Sequence, residues 1–93
     1  MLLNDIRNYL DITWEDAELD KKLQGMISRG KAYIDSRGGK PFDYEVEGLP
    51  RMLLFNYVMY ENSGMLEEFF KNYQAELISL RLESRVEYAE TKG

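Results

Sequence analysis

Apolar residues in this chain recur mostly at helical spacing. Leu3, Ile6 and Leu10 share one face of a short helix over about Leu3 to Leu10, with Leu2 and Tyr9 beside them. Asn4 or Asp5 is placed to cap its start, and so short a helix needs tertiary packing to persist. Asp11-Ile12-Thr13-Trp14 interrupts the pattern, and Thr13 or Asp16 offers a side-chain oxygen to cap the next helix. That second helix carries one stripe of Leu19, Leu23, Met26, Ile27, Gly30, Tyr33 and Ile34. Gly25 and Gly30 each cost about 1 kcal/mol against alanine in a helix interior. Gly30 lies within the stripe, so close approach of another helix is its expected reason. Gly38-Gly39, just after Arg37, supplies a left-handed stop.

From Lys40 to Gly48 the chain reads as a loop, although Phe42, Tyr44 and Val46 alternate and would suit a short extended piece. Leu49-Pro50 opens a third helix, with the proline in the first turn, where its missing N–H is no loss. Met52, Leu53, Leu54, Phe55, Tyr57, Val58, Met59 and Tyr60 cover nearly its whole circumference. A helix apolar all round is either central in the fold or buried by partner subunits. Asn62-Ser63-Gly64 ends it. A fourth helix is predicted from about Leu66 to Leu80 or Leu82, carrying Leu66, Phe69, Phe70, Tyr73, Leu77 and Leu80. Beyond it the period is ambiguous. Leu80, Leu82, Val86 and Tyr88 alternate as in a strand, while Ile78, Leu82, Val86 and Ala89 fit a continued helix. The expected fold is therefore all-α: one domain of about four helices over 1–82, with an extended or partly ordered C-terminal arm over 83–93.

Composition narrows the chemistry. The 93 residues include no cysteine and no histidine, which leaves no disulfide, no thiolate ligand or nucleophile, and neither the usual general base nor the usual zinc ligand. Twelve Lys and Arg stand against 17 Asp and Glu, a net charge of −5. Asp11, Glu15, Asp16, Glu18 and Asp20 fall together without a basic residue among them, and Asp43, Glu45 and Glu47 form a second group. A duplex-DNA binder normally needs a basic face to neutralise phosphates, so this charge repels DNA or lets it pass. No apolar stretch approaches the ~20 residues of a membrane span. The first residues carry neither a basic segment nor a small-residue cleavage site, so no signal peptide is expected.

Several constellations have plainer readings beside the chemical one. Glu67-Glu68 or Asp43 with Glu45 would serve as an acid–base pair only if buried in a cleft; otherwise they form a solvated face. Asp16, Glu18 and Asp20 resemble alternate ligands of a calcium loop, but the turn glycine and closing glutamate are missing. No phosphate-cradling glycine loop or nucleophile elbow occurs. Trp14, the single tryptophan, either anchors a partner or staples the first helix to the second, and the staple is preferred. Leu53, Tyr57 and Tyr60 belong to the core or to a subunit interface, since base-stacking tyrosines would be interleaved with basic residues. Arg81 and Arg85 form either a salt-bridged surface with Glu83 and Glu87 or part of a docking arm. No catalytic, cofactor-binding or metal-binding residue is expected.

The chain resembles the small head–tail connector (adaptor, or head-completion) proteins of long-tailed bacteriophages and prophages. The likeness rests on the opening helix Leu2 to Leu10 followed by Asp11-Ile12-Thr13-Trp14 and acids. It rests also on Ala32-Tyr33-Ile34-Asp35 before a glycine pair, on the helix from Pro50 to Tyr57-Val58-Met59-Tyr60-Glu61-Asn62, and on Phe70 to Arg81. It spans nearly the whole chain, through helix order and residue character. The chain is short, and several relatives have longer loops. The resemblance implies a structural subunit without enzymatic activity or cofactor, one of a homo-oligomeric ring, usually of twelve copies, beneath the portal protein. Such a ring extends the DNA channel without sequence-specific binding and seats the stopper or tail-completion protein. It implies residence in the neck of the virion after synthesis in the host cytoplasm, with no membrane. In this family the C-terminal segment often reaches the portal or a neighbour, which makes Arg81, Leu82, Arg85, Val86 and Tyr88 the expected contact residues. The competing expectation is a small acidic interaction or regulatory module that binds one protein partner through the third helix.

Overall fold

Asp16 opens the longest helix. Its backbone is extended (φ −153°, ψ 109°), and its carboxylate accepts the N–H groups of Glu18 at 3.0 Å and Leu19 at 3.3 Å. Asp16 rather than Thr13 is thus the cap, with Glu18 and Asp20 at the positive end of the helix dipole. This helix, α2 (Ala17–Gly38), ends where Gly39 turns left-handed (φ 83°) and donates its N–H to the Asp35 carbonyl at 2.8 Å. The structure is a computed structural model that describes the backbone of residues 2–92 and the side chains of residues 2–83.

Four further helices complete the described chain: α1 (Leu2–Tyr9), α3 (Leu49–Asn62), α4 (Leu66–Asn72) and α5 (Gln74–Lys92). The fold is all-α, and the described residues form no strand. Of the two fates open to the third helix, α3 takes the first: α1, α2, α4 and α5 all pack against it. Leu53, Leu54, Tyr57 and Val58 are buried, Phe55, Met59 and Tyr60 are half-buried, and among its large apolar residues only Met52 is exposed. Its own chain covers nearly all of its apolar circumference. Gly30 explains the closeness of α2. A β-carbon there would lie 2.8 Å from both Leu54 Cδ1 and Tyr57 Cδ1, so the two helices meet where no side chain intervenes.

The structure departs from the expected helix boundaries in two places. α1 already includes Asn4 and Asp5, so neither caps it; Asp5 instead pairs with Arg51 of α3 at 2.9 Å. The single fourth helix is divided at Tyr73 (φ −114°, ψ 19°), which gives five helices among the described residues instead of about four. No proline or glycine sits there. Tyr73 still donates its N–H to Phe69 and accepts that of Leu77, both at 3.0 Å, so these two backbone bonds persist across the break. The bend seats the Tyr73 ring on Phe69 (centroids 5.1 Å apart, 26° between planes) and brings its hydroxyl 3.0 Å from Asn56 Oδ1. Tertiary packing sets this break. Past Leu82, where period left strand and helix open, the backbone is helical to Lys92.

The segment between α2 and α3 is a loop, as the sequence predicts, but it is tied down. Asp35 Oδ1 accepts the Phe42 N–H at 3.1 Å and the Tyr44 hydroxyl at 2.7 Å, and Tyr44 is buried.

Candidate interaction surfaces

Around Phe69, fully buried on α4, stand Tyr33 of α2, Tyr57 and Tyr60 of α3, Phe70, and Tyr73, all with ring centroids within 6.5 Å. Two of the expected core-or-interface residues, Leu53 and Tyr57, are core. The third, Tyr60, is half-buried at the edge of this aromatic cluster, with its hydroxyl 3.3 Å from Asn72 Nδ2. Burial raises the pKa of the Tyr57 hydroxyl, with Glu61 adding to the effect, and burial likewise raises that of Tyr73. These rings are packed against one another.

Trp14 lies elsewhere. Its side chain is 56% exposed, so it is not the staple between α1 and α2. Arg7 of α1 takes that role: its guanidinium donates to the Trp14 carbonyl and lies 3.6 Å from Asp20 in the first turn of α2. The backbone of the segment is thereby fastened, with its indole left at the surface among the exposed acids Asp11, Glu15, Asp16 and Glu18.

At the other end of α2, an open groove is lined by Ser36 and Arg37 of α2 and by Leu77, Ile78, Arg81 and Leu82 of α5. Leu77 is buried and forms the floor. Ile78 and Leu82, four residues apart and so one turn from each other, are 54% and 55% exposed. Arg37 leans over the Tyr33 ring at 6.0 Å, and neither Arg37 nor Arg81 has an ion-pair partner among the described residues. Of the contact residues expected from the sequence, Arg81 and Leu82 therefore meet at this groove, while the side chains of Arg85, Val86 and Tyr88 lie outside the described residues. Ile78 and Arg37 line the groove as well, although neither is among the contact residues expected from the sequence. Ile78 stands four residues before Leu82, a visible signal. Arg37 is brought there only by the packing of α2 on α5.

Arg51 ties α1, α3 and the loop before α3 together. It pairs with Asp5 at 2.9 Å and Glu47 at 3.5 Å, donates to the Tyr44 carbonyl at 2.9 Å, and lies 4.6 Å from the centre of the Phe55 ring. Its hydrogen bond is the main reason the Asp5 carboxyl titrates below its ordinary value. Nearby, Tyr9 and Met52 leave a smaller apolar edge.

Among the described residues the candidate acid pairs lie at or near the surface. Asp43 and Glu45 are exposed, with Asp43 accepting the Glu45 N–H at 3.0 Å as part of a turn, and Glu67 is exposed beside a half-buried Glu68. Among the described residues no group of three or more Asp, Glu, His or Cys is placed to hold a metal ion, and no helix is long and apolar enough to cross a membrane. No protein-family model, curated protein or solved structure matches this chain.

Proposed function

We propose that the chain is a structural subunit of the head–tail connector of a long-tailed bacteriophage or prophage. In this reading copies form a ring beneath the portal in the virion neck, extend the DNA channel and seat the stopper or tail-completion protein. The observation that carries it is the groove at Ile78 and Leu82, an exposed apolar pair beside Arg37 and Arg81, which have no ion-pair partner among the described residues. It lies at the root of the segment that the family resemblance assigns to docking. Exposed apolar pairs of this kind mark contact surfaces more often than scattered single residues do. The apolar circumference of α3 lends no support, since the chain's own helices cover it. The acidic balance fits a channel through which DNA must slide, because a basic lining would hold phosphates.

The reading is tested in phage assembly. Removing the residues after Leu82 should leave helical content from 2–82 nearly intact by circular dichroism and abolish incorporation into DNA-filled heads. Equal incorporation of the shortened chain would remove the docking role. Heads that join tails normally when the chain is absent altogether would remove the connector reading.

A further inference from the structure

We infer that copies of this chain join head to tail, with the acidic Trp14 segment of one copy seated in the Ile78–Leu82 groove of the next. The inference deepens the connector reading, and rests on it for the expectation that the array closes into a ring. Three observations carry it.

Each surface is apolar where it stands out and charged around that point, with opposite sign. The segment presents an indole more than half exposed, flanked by Asp11, Glu15, Asp16 and Glu18, all at the surface and with no Lys or Arg from 11 to 20. The groove presents Ile78 and Leu82 over buried Leu77, flanked by two arginines without an ion-pair partner among the described residues. In a chain of net charge −5 such a local basic pair favours an acidic partner, and tryptophan is the residue most often found at the energetic centre of interfaces.

The Trp14 segment also does not depend on its indole for its own fold. Arg7 and Asp16 hold its backbone through the Trp14 carbonyl and the α2 cap. The side chain is therefore free to be buried by another molecule with little rearrangement, which lowers the cost of binding.

Finally, the two surfaces lie at opposite ends of one rigid element. α2 has 22 residues, a rise of about 33 Å, with Trp14 tied beside its first turn and Arg37 in its last. A copy's own segment is therefore out of reach of its own groove. Two copies that meet through different patches form a heterologous contact, which repeats from copy to copy and either closes into a ring or runs on as a filament.

The single tryptophan makes the contact directly observable. As the full chain is concentrated toward about 1 mM, self-association followed by sedimentation should proceed together with a blue shift of Trp14 emission and protection from acrylamide. Trp14→Ala and, separately, Ile78→Asp should each weaken self-association about 30-fold, with unchanged circular dichroism because both positions are exposed. Arg81→Glu should do the same through charge, and added salt should weaken the wild-type contact. The decisive step is mixing. Trp14→Ala keeps the groove and Ile78→Asp keeps the tryptophan, so together they should form a 1:1 complex that stops there and shifts the remaining tryptophan's emission. Self-association with Trp14 still open to quencher would overturn this contact and leave the connector reading standing. A wild-type chain that stays monomeric, with no 1:1 complex on mixing, also overturns the contact; the connector reading then stands or falls on head incorporation alone.

Discussion

Gly25 and Gly30 occupy the same helix interior, yet replacing each with alanine should move stability in opposite directions. At Gly30 the new methyl would meet Leu54 and Tyr57 at 2.8 Å, and both are locked in the core. Overpacking of about 1–3 kcal/mol should exceed the propensity gain of about 1 kcal/mol, so urea denaturation should show a net loss. At Gly25 the nearest atom is the guanidinium of Arg29 at 3.2 Å, the movable end of a largely exposed side chain. Its pair with Glu61 is worth little at such exposure, so Gly25→Ala should stabilise by up to about 1 kcal/mol. Leu53→Asp should unfold the chain, since Leu53 is wholly buried and an unpaired charge there costs several kcal/mol. A variant that kept its circular dichroism would show that the core had been misplaced.

At the scale of elements, local sequence and tertiary contact divide the control. α2 is bounded by its own residues, and Asp16→Ala should cost about 1 kcal/mol of stability, read by urea denaturation, because two N–H groups lose their acceptor. The stop at Gly39 was legible for the same reason, as was the Pro50 start of α3. The division between α4 and α5 was not. Phe69 to Leu80 has helical spacing throughout, and besides its local stacking on Phe69 the break at Tyr73 carries a bond to Asn56 of α3, a contact that exists only once the helices are assembled. The same holds for the 40–48 loop, where alternation suggested an extended piece but Asp35 and buried Tyr44 set a turn.

Across the whole molecule, titration links these contacts to stability. Burial raises the hydroxyl pKa values of Tyr44, Tyr57 and Tyr73, with Asp35 raising that of Tyr44 further. Above about pH 10 the unfolded chain loses these protons while the folded chain keeps them, so folding stability should fall as pH rises. Urea midpoints measured from pH 8 to pH 11 should decline over the last unit, and Tyr44→Phe should flatten part of that decline. In acid the sign reverses. The Asp5 carboxyl is held low by Arg51, so its contribution is present above the ordinary carboxylate range and fades as pH falls through the folded value. Asp5→Asn should remove that part of the acid dependence and leave the alkaline part untouched.

What the amino-acid order determined by itself was local: the all-α class, the glycine stop of α2, the proline start of α3, the close approach at Gly30, and the separation of an acidic segment from the rest. Each depends on residues within a few positions of one another, or on a single helical face. Only the tertiary structure decided which apolar residues stay wet. It placed α3 at the centre and so covered the residues that looked most in need of partners, while it left Trp14 exposed and joined α1 to α2 through Arg7. It also set Arg37 beside Ile78 and Leu82, some forty residues apart in the chain. Exposure is a property of how helices fit together, and helical period cannot distinguish a face turned toward the core from one turned toward another molecule.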